Sequence, residues 1–176
     1  MSSIQTTSIE GLLEIERPTF ADDRGFFHET FRKTELEEIL GKPFDIKQAN
    51  HSRSIKKTLR GIHSAPWNKL IYVSRGKVQA VIVDLRKGSP TFGKYVSFII
   101  GDDNKKSVFI PANCGNSYLV LSDEADYHYL TDEEWTPNKE IGVAWDDPQL
   151  KIHWEIKDDL LLSIKDQQNP RLNETF

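Results

Sequence analysis

The stretch whose reading decides the fold is "KVQAVIVDLRKGSPTFGKYVSFIIG", Lys77 to Gly101. Within "VQAVIVDL" both alternating sets of side chains, Val78/Ala80/Ile82 and Val81/Val83, are apolar. A strand with one wet face alternates apolar with polar residues, so apolar residues on both sides imply burial on both, as in two stacked sheets. The turn-rich "RKGSPTFG" then returns the chain into a second extended run. Outward from this pair, "IKQANHSRS", "KLIYVS", "KSVFIPA", "NSYLVLS", "ADYHYLT", "IGVAWD" and "LKIHW" read as further short strands, each bounded by Gly, Pro, Asn or Asp. That spacing is typical of a sandwich or barrel. The clear helix is "KTELEEILG", where Thr34 and Glu37 form a capping box, Leu36 and Leu40 share one face, and Gly41 ends it. A second helical turn is expected near "KDDLLL". The expected fold is therefore mainly β, a jelly-roll type sandwich or barrel with small peripheral helices, in one domain spanning residues 1–176.

Composition narrows the partners. The net charge of -4 and the pI near 5.7 come from intermixed Lys, Arg, Asp and Glu, which gives no basic face for nucleic acid or anionic lipid. An anionic ligand must then be small and held by a few placed cations. The single cysteine, Cys114, excludes an internal disulfide. "MSSIQTTSIEG" lacks the basic start and apolar run of a signal peptide, and no run reaches the length of a membrane span, so a cytoplasmic protein is expected.

The five histidines show no HxH, HExxH or CxxC pairing, so no metal is expected. His63 stands apart because of its neighbours in "LRGIH". An ideal strand sends Arg60 and His63 to opposite faces, but Gly61 between them can host a bulge that re-aims one of them, and both then enter one cavity. Without such a bulge they are a surface arginine and a half-buried histidine at a sheet margin. Tyr127 and Tyr129 share a parity, with His128 on the other face, and one phenol could donate a proton in a barrel interior; ordinary core packing explains alternate aromatics equally well. Asp166 follows an apolar run in "LLLSIKDQQNP", where a carboxylate could orient an imidazole or simply face solvent before Pro170. "RGFFHE", Arg24 to Glu29, groups a cation, two aromatics and a carboxylate, as a nucleotide clamp or an amphipathic strand would.

Taken in order, "DDRGFFHETF", "IKQANHSRS", "LRGIH", "VDLRKGSPTFGKY", "FIPANCGNSYLVLS", "YLTDEEW", "AWDDPQLKIHW" and "LSIKDQQNP" resemble the dTDP-4-dehydrorhamnose 3,5-epimerase family, cupin-type epimerases of nucleotide-linked 4-keto-6-deoxy sugars. The resemblance covers nearly the whole chain. It implies a cupin-type jelly roll in a homodimer, without metal or coenzyme, acting on a nucleotide-diphospho-sugar linked to dTDP, GDP or CDP. It further implies that His63 is the general base, Asp166 its orienting carboxylate, Tyr129 the acid on the opposite sugar face and Lys69 the cation near the developing enolate oxygen. Arg24 and Arg60 match diphosphate contacts. Phe27, Glu29, Gln48 and Asn50 match nucleotide or phosphate contacts, some of them reaching the partner subunit's site.

Two segments depart from the family pattern. Asn116 in "CGNSY" stands where the rhamnose-pathway enzymes carry a second histidine, although the Asp84 that would accompany that histidine is present. Asn donates a hydrogen bond but cannot shuttle protons. The loop from His63 to Lys69 is also short, and Trp135 replaces a usual tyrosine. The short loop together with the "GNS" signature looks more like the related epimerases of GDP-linked 4-keto-6-deoxy heptoses, while Trp135 bears on the shape of the sugar pocket and the choice of carbon. Two other functions suit the same residues: a ketoisomerase that moves the carbonyl between carbons 3 and 4, and a catalytically silent sugar-nucleotide binding module. The presence of His63, Tyr129 and Asp166 together speaks against the silent module, which needs no proton relay.

Overall fold

The computed structural model describes residues 2–176. Its strands are β1 (Ser3–Thr6), β2 (Leu13–Glu16), β3 (Thr19–Asp22), β4 (Gly25–His28), β5 (Gln48–Ile55), β6 (Leu59–Ser64), β7 (Lys69–Arg75), β8 (Lys77–Asp84), β9 (Tyr95–Gly101), β10 (Ser107–Ile110), β11 (Cys114–Val120), β12 (Glu124–Thr131) and β13 (Ile141–Gly142), and its helices are α1 (Lys33–Leu40), α2 (Ile164–Gln167) and α3 (Leu172–Thr175). One sheet has the order β1-β2-β10-β7-β12-β5 and the other β13-β6-β11-β8-β9, with β3 and β4 forming a separate hairpin. From β5 onward the chain passes back and forth between the two large sheets, and every paired strand is antiparallel. That is the jelly roll expected of the sequence.

β8 shows why both of its faces are apolar. Val78, Ala80 and Ile82 pack with Ile71, Val73, Tyr118 and Tyr127 in the core between the sheets. Val81 and Val83 pack on the opposite side with Leu59, Leu119, Leu150 and Trp154. The second layer is thus the C-terminal segment and its coil, not another sheet. Each such fully buried aliphatic side chain stabilises the fold by about 1.5–3 kcal/mol. Gln79, the polar interruption in β8, explains why "LKIHW" is not a strand. Its side chain donates to His153 O at 2.8 Å and accepts from Glu155 N–H at 2.9 Å, supplying the polar contacts a ladder would have supplied. "IGVAWD" contributes only the two residues of β13 to the ladder, beside β6.

The helix begins two residues earlier than a Thr34 cap implies. Arg32 is the N-cap of α1 with no side-chain capping bond, so Thr34 lies inside the helix and the expected capping box does not form. Glu37 instead accepts the Phe44 N–H at 2.8 Å and fixes the chain leaving the helix, while Gly41 ends it at φ 64° as expected. Leu36 and Phe44 seal the outer side of the larger sheet against Leu70 and Phe109. The "KDDLLL" segment is not helical. The helical turn follows it, at α2, where the Ser163 hydroxyl accepts the Asp166 N–H at 3.1 Å.

Candidate active site

Between Arg60 and His63 the ladder slips. His63 pairs with Asn116 and Arg60 with Tyr118, so β6 carries one residue more than β11 over this interval. Gly61 makes the bulge possible. Its φ is +128°, and a Cβ on it would stand 2.4 Å from Ser117 Cβ. Arg60 and His63 consequently line the same cavity, of about 270 Å³, together with Lys69 at the start of β7, Asn116 and Tyr118 from β11, and Tyr127 and Tyr129 from β12. The bulge therefore does what the sequence allowed it to do.

His63 Nε2 donates to Asp166 Oδ1 at 2.6 Å. Burial opposes ionisation of Asp166, yet hydrogen bonds from His63, Ser163 and the Gly61 N–H more than offset it and hold its carboxyl below the usual range. The bulge glycine thus also anchors the carboxylate that orients the imidazole. Lys69 is 5% exposed and pairs with no carboxylate among the described residues; its ammonium donates only to His63 O, at 3.4 Å. Burial lowers its pKa to about 8, with the charge of Glu140 acting the other way. Arg60 donates to Ser54 Oγ at 3.1 Å and likewise has no carboxylate partner among the described residues, which leaves its guanidinium for an anion.

The three phenols of the cavity differ in their commitments. Tyr127 donates to Asn116 Oδ1 at 3.0 Å, and burial pushes its pKa well up. Tyr118 stacks on Tyr127 with centroids 4.0 Å apart, and its hydroxyl is shared with Ser52 Oγ at 2.8 Å. The Tyr129 hydroxyl has no hydrogen-bond partner among the described residues; desolvation, and then the charge of Glu140, raise its pKa.

Other expected site residues are placed less centrally. Gln48 and Trp135 line the cavity, joined by the Trp135 N–H donating to Gln48 Oε1 at 2.7 Å, and Trp135 is 54% exposed. Asn50, opposite Tyr129 on the ladder, accepts from Gln48 at 2.7 Å, while its own Nδ2 is buried without a partner among the described residues. Arg24, Phe27 and Glu29 belong to the β3–β4 hairpin and the residue after it, outside this cavity. Arg24 pairs with Asp22, Phe27 is 68% exposed, and Glu29 pairs with Arg32. Asp84 does not accompany position 116. Its fully buried carboxylate binds Arg86, Ser89 and Thr91 and organises the "RKGSPTFG" turn. Ser52, Trp67, Tyr118, Thr131 and Glu140 line the cavity without having been expected there. Parity would have found three of them, since Ser52 follows Asn50, Tyr118 follows Asn116 and Thr131 follows Tyr129 by one strand period. Among the described residues no group of three His, Cys, Asp or Glu is placed to hold a metal, and no helix is long and apolar enough to cross a membrane.

The description of dTDP-4-dehydrorhamnose 3,5-epimerase matches residues 6–174. The chain belongs to that family. The dTDP-4-dehydrorhamnose 3,5-epimerase of Pseudomonas aeruginosa is 42% identical over 164 residues, which is 92% of this chain and 91% of that protein. The crystal structure of the Legionella pneumophila dTDP-6-deoxy-D-glucose-3,5-epimerase, in complex with dTDP-4-keto-L-rhamnose, superposes with a TM-score of 0.94 at 39% identity, covering 98% of this chain and 94% of that one. A 3'-monoepimerase from Streptomyces bikiniensis, in complex with dTDP-quinovose, superposes with a TM-score of 0.91 at 34% identity over 95% of this chain and 86% of that one. This member of the dTDP-4-dehydrorhamnose 3,5-epimerase family is accordingly a cupin-type jelly roll and an isomerase acting on a sugar nucleotide.

Proposed function

We propose that this chain inverts carbon 3, carbon 5 or both in a nucleotide-diphospho-4-keto-6-deoxy sugar, without a metal ion. The observation that carries the reading is that one cavity holds an oriented imidazole, a buried lysine in contact with no carboxylate among the described residues and a phenol whose proton is uncommitted. A proton next to a ketone is weakly acidic, and an imidazole removes it only if the enolate charge is stabilised where it forms. His63, held by Asp166, is the base. Lys69 is the cation at the enolate oxygen. Inversion needs a proton from the other face; Tyr129 supplies it, since Tyr127 and Tyr118 have their hydroxyls engaged.

Arg60 binds the diphosphate. Arg24, Phe27 and Glu29, on or just after the β3–β4 hairpin, are absent from the cavity lining of their own chain, which supports a homodimer in which this hairpin completes the partner's nucleotide site. The names of the relatives favour a dTDP-linked sugar. The short loop before Lys69 and the Asn116–Tyr127 bond in place of a second histidine support a second reading, a GDP-linked heptose, with one carbon inverted in preference to the other.

The test is incubation with freshly made dTDP-, GDP- and CDP-linked 4-keto-6-deoxy sugars in D₂O, following mass gain and sugar configuration by NMR. Deuterium wash-in with inversion at a fixed ketone is the expected result, and His63→Ala should slow exchange by about 10²–10⁴-fold while nucleotide binding persists. Movement of the ketone to carbon 3, or wild-type exchange in His63→Ala, refutes the reading.

A further inference from the structure

Among the described residues, Glu140 is the one acidic side chain lining the cavity. A carboxylate facing a site built for a diphosphate repels its ligand, so its presence calls for a compensating use. It lies just before β13, and Lys165 of α2 binds it at 2.7 Å, next in the chain to the Asp166 that orients His63. Glu140 is largely buried and Lys165 largely exposed. The structure assigns Glu140 a positioning role: we propose that it keeps the buried Lys69 ammonium charged in the cavity they both line, and that Lys165 sets how strongly it does so. This rests on Lys69 being the enolate cation.

The surroundings of Lys69 leave Glu140 as the group able to do this. Arg60 and His63 on β6 and the phenols of Tyr118, Tyr127 and Tyr129 bring no carboxylate to the cavity. The Asp166 carboxylate is engaged by His63. Asp132 is spent on the Asn68 backbone and side chain, its bond to the Asn68 N–H being 2.8 Å, and Glu133 is paired with Lys47. Burial drives Lys69 toward the neutral amine, which cannot stabilise an oxyanion by charge, and Glu140 is the charge that opposes this. Lys165 partly neutralises Glu140, which limits both its pull on Lys69 and its repulsion of the diphosphate.

The experiment reads deuterium wash-in from D₂O into a dTDP-linked 4-keto-6-deoxyhexose as a function of pH. It is carried out in a Tyr129→Phe background, so that this phenol's own titration is removed. In Glu140→Gln the alkaline fall-off of exchange moves down by about 0.5–1 in pH, the expected loss of one nearby opposite charge in a partly screened site. In Lys165→Met it moves up, by less. Exchange on the acid side of the profile is read separately, because Lys165 adjoins the Asp166 that is hydrogen-bonded to His63. Lys69→Met is the control: exchange like that of its parent would mean Lys69 is not the enolate cation, a failure of the underlying reading. If Lys69→Met loses exchange while Glu140→Gln is slowed evenly at every pH, or if Lys165→Met moves the alkaline limb down, the role given to Glu140 is overturned.

Discussion

Gly61→Ala is expected to damage stability and activity together, and the size of each can be worked from the bulge. The new Cβ would lie 2.4 Å from Ser117 Cβ, 2.8 Å from Ser117 Cα and 2.9 Å from Asn116 O. Two of these neighbours are backbone atoms in the middle of β11, so relief requires the two strands to part. Overpacking of this kind and a side chain held at φ +128° together cost about 2–6 kcal/mol, a large part of the ~5–15 kcal/mol by which a domain of this size is stable. Parting the strands also displaces Arg60 and His63 relative to Lys69 and Tyr129 on the facing sheet, and a misplacement of about 1 Å can cost ~10²-fold in rate. Urea unfolding and deuterium wash-in measure the two effects. Adding Ser117→Gly removes the shortest contact but leaves both backbone contacts and forfeits the buried Ser117 Oγ bond to Val81 O, so only partial recovery is expected. A Gly61→Ala protein with wild-type urea midpoint and wild-type exchange would show that the bulge does not aim these two side chains.

Tyr129→Phe should retain deuterium exchange but return the label mainly to the original face, so that little epimer accumulates; equal loss of exchange and inversion in a folded protein would exclude Tyr129 as the opposite-face acid. Lys69 should set activity and stability against each other above pH 8. Its pKa is about 8 in the folded chain against 10.5 ordinarily, so between these values the unfolded chain holds a proton that the folded one lacks, and stability rises with pH, by about 3 kcal/mol in all. Below pH 8 that increment is absent and the cation is present. Urea midpoints of wild type and Lys69→Met across this range should diverge accordingly, and parallel curves would refute the buried-lysine assignment. EDTA-treated protein should keep its activity, with no stoichiometric zinc, iron or manganese by elemental analysis; recovery only on adding a divalent ion would contradict the role given to Lys69.

Much of the core and of the cavity's inner wall was legible because the signals are local. The double apolar alternation of β8, Gly61 between Arg60 and His63, and the shared parity of Tyr127 and Tyr129 each concern residues a few positions apart. The misreadings come from substitutes for regular structure. The Gln79 side chain takes the place of a ladder beside residues 153–155, and Glu37 turns to Phe44 instead of closing a capping box. Short exposed strands such as β1 and β3 carry too little pattern to be seen. Glu140 and Trp67 were invisible for another reason: topology brings them to the cavity from loops, and neither has a strand period to betray which way it points. Arg24, Phe27 and Glu29 follow from the resemblance, and in their own chain Arg24 and Glu29 meet neighbouring charges, Asp22, Arg17 and Arg32, away from the cavity.

The cavity's two walls belong to different sheets. His63 and Asn116 stand on one; Lys69 and Tyr129 stand on the other. What separates them is the layer of Ile71, Val78, Ala80, Ile82 and their neighbours, which acts as a spacer whose thickness fixes how far His63 stands from Tyr129. Side chains that never meet a sugar thereby calibrate the chemistry. A methylene removed from that layer, as in Ile82→Val, would leave every polar group in place yet let the walls settle by a fraction of a bond length. Relatives with identical cavity residues could then differ in which carbon they invert, the difference being written in their hydrocarbon interior.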